Sequence, residues 1–438
     1  MTSITYVAHG SATTVISDDD TRRLLSEAFQ AIDRQYGARK KILAVPPDFT
    51  RFNSRAGLVT KVTHEHYGAA LTDVLPALGT HVPMTDVQIA KMYPGVPRML
   101  FRDHDWRNDV LTVGELPAEF VAQATDGLYA KPWPAQLNRL IWNGGHDLIL
   151  SIGQVVPHEV TGMANHAKNL FVGCGGKAGI DESHFIGAAY GMERMMGRAD
   201  TPTRRILNEA LRRFCPHLNI VFVLTVVGPA KPGEAADAHG LVTRGLFIGS
   251  GTECFEQACK LSLEVNFQLL DEEPETVVCY LDPDEFHTTW LGNKAVYRTR
   301  MAIRTGGELI VLAPGLKGFG EDPGIDALIR AYGYRTTPEV MAAVRDHADL
   351  AGNLSAAAHL IHGSSEGRFR VTYCCPANPG HLTRQEIESV GYAYADFEAM
   401  IALYDPCHLQ DGWNHVNGRK IYYISNPALG LWAYRGRF

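Results

Sequence analysis

Short apolar runs alternate with amphipathic stretches along this chain, and that alternation restricts its fold more than any other feature. The runs "HDLILSIGQVV" and "LNIVFVLTVVG" have the continuous hydrophobicity of strands that are buried on both faces. The stretches "TPTRRILNEALRRFCP" and "TKVTHEHYGAALTDVLPAL" have the periodicity of helices, and "DVQIAKMYPG" is predicted to contain a further short strand. Strands and helices in this order predict an α/β fold with mostly parallel sheets.

The length of the chain predicts two domains. Its 438 residues are too many for a single hydrophobic core. An N-terminal α/β domain is predicted over residues 1–270, and a second α/β domain over residues 271–411, where "DEEPETVVCYL" begins a new set of strands and helices. The aromatic-rich end, residues 412–438, is predicted to pack back on the first domain. A cleft between two such domains is the expected position of an active site.

Composition and charge exclude several function classes. The net charge of -7 gives no indication of a nucleic-acid or membrane-surface partner. No apolar run is long enough to span a bilayer, and the N-terminus lacks the pattern of a secretion signal, so a cytoplasmic protein is expected. The cysteines form no CxxC pairs, which favours buried, reduced thiols over disulfides or zinc sites. The adjacent Cys374 and Cys375 are interpreted as part of a packed strand, with a redox role as the less favoured alternative.

The segment "VPPDFTRFNSR" places three polar side chains, Asp48, Thr50 and Arg51, directly after an apolar strand. Open α/β sheets bind ligands at the carboxyl ends of their strands. An Asp and an Arg in that position can hold a hydroxyl group and an anion. On these residues alone, a polar loop in which Asp48 or Thr50 caps a helix is the better explanation.

Two further segments carry candidate histidines and a lysine. "LGTHVPMT" contains His81 in a loop, and "VVPHEVTGMANHAKNLFVGCGGKAGIDESH" contains His158, Lys168 and His184. His81 is either a surface residue or a proton-transfer group, Lys168 either a solvated residue or a covalent anchor, and His184 either a loop residue or a metal ligand. The spacing matches no compact zinc signature, and "GCGGKAG" lacks the GxxxxGK[ST] pattern of a phosphate loop.

Taken together, the segments "PDFTR", "GTHVPMT", "VPHEVTGMANHAK" and "ESH" resemble the nickel-dependent lactate racemase family. That family has a "DHTRP"-type loop, a "GTHRP"-type loop, an "EPHxxAGFSGGxK" segment and a later "NH" in the same order. Each motif is short, but four in one order are more specific. The resemblance runs from about Lys41 into "GLFIGSGTECFEQACKLSLEVN", and continues more weakly through "YRTRMAI" and "LIVLAPGLKGFG".

The resemblance implies a two-domain α/β enzyme whose cofactor is the nickel pincer nucleotide, a pyridinium mononucleotide with two thiocarbonyl arms. It implies that Lys168 bonds to one arm, that His184 is a nickel ligand, and that His81 and His158 are the acid/base residues. It also implies that Asp48 helps to hold the nucleotide, with Thr50 beside it, and that Arg51 lies near the substrate. Racemising a 2-hydroxy acid requires two bases, one for each hand, and a hydride shuttle.

Departures from the family pattern bear on the substrate. The family's "SGG" before the lysine is "ANH" here, which is expected to add His166 beside the cofactor. The family's "YQSxK" run is "YRTRM", so Tyr297 is kept, Arg298 replaces the Gln and Met301 replaces the Lys. Arg298 and Arg300 are therefore candidates to replace the lost positive charge, or else solvated strand residues. Lys317 is another possible replacement, although it matches no family motif.

The sequence therefore predicts a 2-hydroxy acid racemase or epimerase whose substrate is larger or more polar than lactate. Tyr297, Arg298 and Arg51 are the predicted substrate-binding residues. The expected partners are the substrate and the enzymes that make the cofactor, and the oligomeric state is left open. The alternative is a family member that binds the nucleotide or an anionic metabolite without isomerising it.

Overall fold

The computed structural model describes residues 3–438, and the chain folds into two compact units. The first unit, unit 1, comprises the residues up to Ile186 together with Met195–Asn266. Unit 2 comprises Gly187–Arg194 together with Phe267–Phe438. Each unit has a mostly parallel sheet with helices, so the predicted α/β fold class is confirmed.

Unit 1 is built around a six-stranded sheet with the strand order β1-β10-β9-β6-β2-β3. Strands β9, β6, β2 and β3 are parallel to one another, while β10 and β1 are antiparallel to their neighbours. Two short ribbons, β4-β5 and β7-β8, accompany it. The strands are β1 (Ile4–Gly10), β2 (Ile42–Val45), β3 (Leu71–Val74), β4 (Val110–Leu116), β5 (Trp133–Asn138), β6 (Leu148–Gln154), β7 (Pro157–His158), β8 (Gly162–Met163), β9 (Ile220–Pro229) and β10 (Leu241–Ser250).

The helices within residues 18–266 carry recognisable start signals, and Gly187–Arg194 of this stretch belongs to unit 2. Thr201 accepts a hydrogen bond from the Arg204 amide at the start of α9, and Pro202 occupies its first turn. The helices are α1 (Asp18–Tyr36), α2 (Ala56–Tyr67), α3 (Asp86–Met92), α4 (Ala118–Ala124), α5 (Arg139–Asn143), α6 (Ala167–Phe171), α7 (Lys177–Tyr190), α8 (Met192–Met195), α9 (Pro202–Phe214) and α10 (Glu253–Asn266).

Two local predictions for unit 1 are wrong. The predicted single helix "TKVTHEHYGAALTDVLPAL" ends at Tyr67, because Gly68 has a φ of 53°, and the chain then forms strand β3. The predicted strand in "DVQIAKMYPG" is instead helix α3, which starts at a capping box between Thr85 and Gln88.

Unit 2 contains a second six-stranded sheet with the order β15-β14-β13-β12-β17-β16. All of its strand pairs are parallel except β16-β17. A separate pair, β11-β18, is also parallel. The strands are β11 (Phe267–Leu270), β12 (Thr276–Tyr280), β13 (Glu308–Leu312), β14 (Arg370–Cys375), β15 (Ala393–Asp396), β16 (Gly412–Val416), β17 (Arg419–Ile424) and β18 (Leu431–Tyr434).

The C-terminal residues 412–438 belong to unit 2. Strand pairing holds them there, since β17 lies beside β12, and β18 lies beside β11. The helices of this unit are α11 (Thr289–Gly292), α12 (Lys294–Thr299), α13 (Pro323–Tyr332), α14 (Thr337–Asp346), α15 (Ala348–Ala351), α16 (Leu354–His362), α17 (Arg384–Ser389) and α18 (Phe397–Leu403).

The cysteines of the chain are all free thiols, and all but Cys407 are buried. Cys374 and Cys375 lie at the end of strand β14, where burial raises the pKa of both thiols, that of Cys375 to about 12. Among the described residues, no helix has both the length and the apolar character needed to cross a bilayer.

Candidate active site in unit 1

The first part of the candidate site lies where strand β2 ends. Its four residues are fully buried, and the chain continues through two prolines to Asp48. The Asp48 side chain does not cap the 3₁₀ helix Phe49–Ser54 that follows it. Instead, one carboxylate oxygen lies 2.7 Å from Nδ1 of His81, and the other accepts a 2.6 Å hydrogen bond from the Thr50 hydroxyl. The helix cap that the sequence of this loop predicts is therefore not formed by Asp48, which binds His81 and Thr50 instead.

The environment of Asp48 keeps its carboxyl group ionised. Burial raises its pKa, but the hydrogen bond and charge of His81, the Thr50 hydroxyl and the charge of Arg51 outweigh burial and lower the pKa. A carboxylate at Nδ1 of His81 fixes the hydrogen on that nitrogen, so the lone pair of the neutral ring is on Nε2. The His81 side chain is 45% exposed, so that nitrogen is accessible.

His158 shows the opposite hydrogen-bonding arrangement. It lies on strand β7 and is buried, and its Nδ1 accepts a 3.1 Å hydrogen bond from the Val160 amide. Its pKa is well below the usual value: burial is the main cause, and the charges of Lys168, Arg51 and His184 add to it, against the opposing charge of Glu159. The ring is therefore neutral near pH 7, with its hydrogen on Nε2.

Lys168 lies on the short helix α6 and is partly buried. Burial, followed by the charge of Arg51, lowers its pKa to about 8. A lysine with this pKa has an appreciable fraction of neutral amine near pH 7, which is the form that attacks an electrophile. This environment differs from that of a solvated helix residue.

His184 is held on helix α7 by a 2.7 Å contact between its Nδ1 and the carbonyl oxygen of Ile180. A carbonyl can only accept, so Nδ1 carries the hydrogen and Nε2 presents its lone pair. Metal-binding histidines are commonly oriented in this way. Burial lowers the pKa of His184, which keeps the ring neutral. Among the described residues, no group of three or more His, Cys, Asp or Glu side chains is placed to bind a metal.

These side chains form one electrostatic cluster in unit 1. The charges of Lys168, Arg51 and His184 act on His158, the charge of Asp48 acts on Lys168, and Asp48 bonds to His81. Within the described part of the chain, the Arg51 guanidinium forms no hydrogen bond and no ion pair. The structure thus brings the predicted loops after β2 and β3 together with the segment that follows β6.

The predicted substrate residues of the "YRTRM" segment lie in unit 2, on and just after helix α12, and not on a solvated strand. Arg298 is 3% exposed and donates a 3.2 Å hydrogen bond to the Gly430 carbonyl. Arg300 lies 2.8 Å from the Glu193 carboxylate, and Met301 is buried. The solvated alternative for the two arginines is therefore wrong, because the backbone and an acidic partner hold them inside the unit.

Sequence reasoning missed Arg204, which orders the segment before Lys168. It is fully buried on helix α9, and its guanidinium donates to the carbonyls of Asn165, at 3.0 Å, and of Met163. An arginine on an amphipathic helix usually faces water, so its position in the sequence gave no signal of this contact.

The fold defined by these two units is also found among solved structures. No family model matches the chain, and no curated protein matches it. A Thermotoga maritima protein from a structural genomics consortium is 24% identical, with a TM-score of 0.79, over 98% of this chain and 100% of that chain. The lactate racemase apoprotein from Thermoanaerobacterium thermosaccharolyticum is 15% identical, with a TM-score of 0.68, over 97% of this chain and 94% of that chain. At these identities, the comparisons show a lactate racemase-like fold.

Proposed function

We propose that this protein is a racemase or epimerase of a 2-hydroxy acid that works with the nickel pincer nucleotide. The observation that carries the proposal is the pair of histidines with opposite hydrogen-bonding arrangements. His81 presents a lone pair on Nε2 because Asp48 holds its other nitrogen, whereas His158 presents an N–H group because Val160 donates to its other nitrogen. The resemblance of the surrounding motifs and the lactate racemase-like fold support the same function.

The residues present fit this cofactor. A partly neutral amine at Lys168 is suited to a covalent bond with an acyl-type arm, and Nε2 of His184 is suited to a metal whose other ligands are not protein side chains. When bound, the nucleotide would supply an acceptor for hydride from the carbinol carbon. The Asp48 carboxylate is already engaged with His81 and Thr50, so a role in holding the nucleotide would be shared with positioning His81.

The two histidines would move the hydroxyl proton of the substrate. His81, backed by the Asp48 carboxylate, accepts this proton on Nε2 for one hand of the acid. His158 would donate its Nε2 hydrogen to the substrate oxygen from the other side while its Nδ1 takes up a proton from solvent and His81 releases one, so that both rings end neutral. For His158 to act as the base, its hydrogen must move to Nδ1, and Glu159, whose carboxylate lies 3.8 Å from that nitrogen, would stabilise the new arrangement.

Arg51 is the group in unit 1 best suited to the substrate carboxylate. Its guanidinium is planar and bidentate, and no carboxylate of the described residues occupies it. We further propose that the natural acid is larger or more polar than lactate. The resemblance makes Tyr297 and Arg298 substrate-side candidates, but the contact of Arg298 with the Gly430 carbonyl favours a structural role for that residue.

The test uses protein co-expressed with the cofactor-making enzymes and a panel of chiral 2-hydroxy acids in deuterated water. Chiral chromatography should show one enantiomer or epimer converting to the other, and mass spectrometry should show protium retained at the reacting carbon. Retention is expected because hydride shuttles within the site, whereas a carbanion route would introduce deuterium. A nickel-loaded protein with the covalent adduct but no conversion of any acid would instead indicate a non-isomerising nucleotide-binding protein.

A further inference from the structure

The loop after strand β2 carries Arg51 on backbone that the Arg51 side chain does not hold in place. Arg51 interrupts the 3₁₀ helix Phe49–Ser54, with a φ of -115° and a ψ of 34°. Its guanidinium forms no hydrogen bond and no ion pair with any residue that the structure describes. A guanidinium that binds a carboxylate through two parallel hydrogen bonds must nevertheless be oriented closely. The orientation of Arg51 therefore depends on contacts at the two ends of its loop.

The beginning of the loop is held by contacts of the candidate site itself. Asp48 binds His81 and the Thr50 hydroxyl, and the Tyr93 hydroxyl donates to the carbonyl of Pro47. These contacts fix the position of the carboxylate, but they lie before Arg51 in the chain.

The far end of the loop is held by strand β9 and the β9–β10 connection, residues 230–240. The Thr225 hydroxyl of β9 donates a 2.7 Å hydrogen bond to the Ser54 carbonyl. The Arg55 guanidinium lies 3.1 Å from the Asp237 carboxylate and also donates to the Leu241 carbonyl, at 3.4 Å. Both side chains of the ion pair are mostly buried, with 24% and 20% exposed, so the pair is less screened by solvent than one on the surface.

Arg55 holds this position with a backbone conformation that side chains rarely adopt. Its φ is 65° and its ψ is 6°, which is the left-handed region that glycine adopts at little cost. Its carbonyl accepts a 3.1 Å hydrogen bond from the Val59 amide, so the direction in which helix α2 leaves the loop is set at this residue. A strained residue whose side chain is paired with another segment indicates a functional constraint on the loop.

The β9–β10 connection is ordered by contacts that do not involve the candidate site. Oδ1 of Asp237 accepts hydrogen bonds of 2.9 Å from the amides of His239 and Leu241, which leaves Oδ2 to face Arg55. The same connection is fixed by Glu234, which pairs with the buried Arg244. The Asp237 carboxylate is therefore a fixed point against which the loop can be aligned.

We propose that Asp237 is a positioning residue for substrate binding, which acts through Arg55 to hold the loop in the conformation that presents Arg51 to the substrate carboxylate. The β9–β10 connection would thus contribute to the active site without contacting the substrate. This inference rests on the proposed function for the role of Arg51, but the effect of the ion pair on the loop can be measured without substrate or cofactor.

The first test is hydrogen exchange of the cofactor-free protein, read by mass spectrometry. Asp237→Asn keeps the oxygen that orders the β9–β10 connection and replaces only the oxygen that faces Arg55. Peptides covering residues 49–55 should exchange about tenfold faster, while other peptides of unit 1 and the urea midpoint stay unchanged. Arg55→Asn, whose new side chain tolerates the left-handed backbone, should have the same effect. Glu65→Gln, which breaks an exposed ion pair with Arg22, is the matched control and should leave the loop unchanged.

The second test is steady-state kinetics of the cofactor-loaded enzyme. Asp237→Asn should raise KM for the hydroxy acid about threefold or more and change kcat less than about twofold, because Asp48 and His81 are held at the other end of the loop. Asp237→Glu keeps a carboxylate and should recover most of the wild-type KM. The double variant of Asp237→Asn with Arg51→Gln should have the KM of Arg51→Gln alone, since Asp237 acts through Arg51.

Three results would overturn the proposal. They are unchanged exchange of residues 49–55 in Asp237→Asn, KM effects that multiply in the double variant, and faster exchange throughout unit 1 with a lower urea midpoint, which would indicate a general stabilising role. Wild-type enzyme that converts no hydroxy acid would instead count against the racemase proposal, and hydrogen exchange would still decide whether Asp237 positions the loop.

Discussion

The loop after strand β2 and helix α12 both carry polar residues that the sequence singles out, yet they use them differently. In the loop, Asp48 contacts another candidate residue, and the Arg51 guanidinium has no bound partner in the described structure. On helix α12, Arg298 is buried against the Gly430 carbonyl, and the neighbouring Arg300 pairs with Glu193. The difference shows that an arginine is a candidate for recognition only if the fold has not already used its hydrogen-bonding groups.

The largest expected effect comes from Lys168→Ala, because Lys168 belongs to the electrostatic cluster that contains the loop after β2. This change should abolish the covalent cofactor adduct and the activity, because no other amine in the cluster has the lowered pKa that suits bond formation. Intact-mass spectrometry of co-expressed protein measures the adduct. Lys177→Ala, which removes an exposed lysine of helix α7, is the matched control and should keep it. A normal adduct mass in Lys168→Ala would remove this residue from the proposal.

The next largest effect is expected from the two histidines. His81→Ala and His158→Ala should each lower kcat about 10²–10⁴-fold in both directions, since a complete turnover uses both residues. Chiral chromatography from each pure enantiomer gives the two rates. An exposed histidine outside the cluster, as in His217→Ala, should leave them unchanged. Either variant at nearly the wild-type rate would exclude that histidine from the mechanism.

The chemical reactivity of Lys168 tests the cluster without any cofactor. With a pKa of about 8, this lysine should react with an amine reagent at a rate that rises through pH 8, while ordinary lysines titrate near pH 10.5. The labelling rate rises with pH because the neutral amine is the nucleophile. At pH 7 about a tenth of Lys168 is neutral, compared with roughly 0.03% of an ordinary lysine. Peptide mapping after brief labelling from pH 6 to pH 10 measures the profile. A midpoint near 10.5 for Lys168 would contradict the burial described for it.

Asp48→Asn tests whether the carboxylate positions His81. An amide in place of the carboxylate should lower kcat about 10- to 100-fold, a typical loss when the partner of a functional histidine is changed. Asp48→Glu is the comparison variant and should retain more activity than Asp48→Asn. A wild-type kcat in Asp48→Asn would count against a positioning role.

The smallest effect bears directly on the comparison between the two arginines. Arg51→Gln should raise KM for the hydroxy acid about tenfold with little change in stability. A tenfold change corresponds to about 1.4 kcal/mol of binding free energy. Arg298→Gln should lower the free energy of unfolding by roughly 1–3 kcal/mol, since it removes a buried donor from the Gly430 carbonyl. Urea titration and steady-state kinetics separate the two outcomes. A raised KM and a normal unfolding midpoint in Arg298→Gln would instead indicate that Arg298 binds the substrate.

The sequence predicts the central strands β2, β6 and β9 of unit 1 well because they are continuous apolar runs. The burial of every residue of β2, and of β6 up to Gln154, follows directly from that pattern. It also predicts that the polar residues after β2 lie at an edge of the sheet where ligands bind. The loop that carries His81 follows β3, which is paired in parallel with β2, but the sequence predicts a helix there.

Other parts depend on contacts that local patterns do not contain. Strand β3 was hidden because Gly68 interrupts a stretch whose helical periodicity continues beyond it. The hydrogen bond between Asp48 and His81 joins residues 33 positions apart, and that between Arg204 and Asn165 joins residues 39 apart. Such pairs are set by tertiary packing, which overrides both spacing and propensity.

The distribution of the cysteines has a practical consequence for experiments in solution. Thiol reagents attack the thiolate, and burial raises the pKa of thiols such as Cys215, Cys254 and Cys259 to about 12. Cys407 is the exposed cysteine of the chain, and it lies between helix α18 and strand β16 in unit 2. A maleimide fluorophore would therefore attach at one known position of the native, unmutated protein, which makes Cys407 a ready handle for immobilisation or fluorescence measurements.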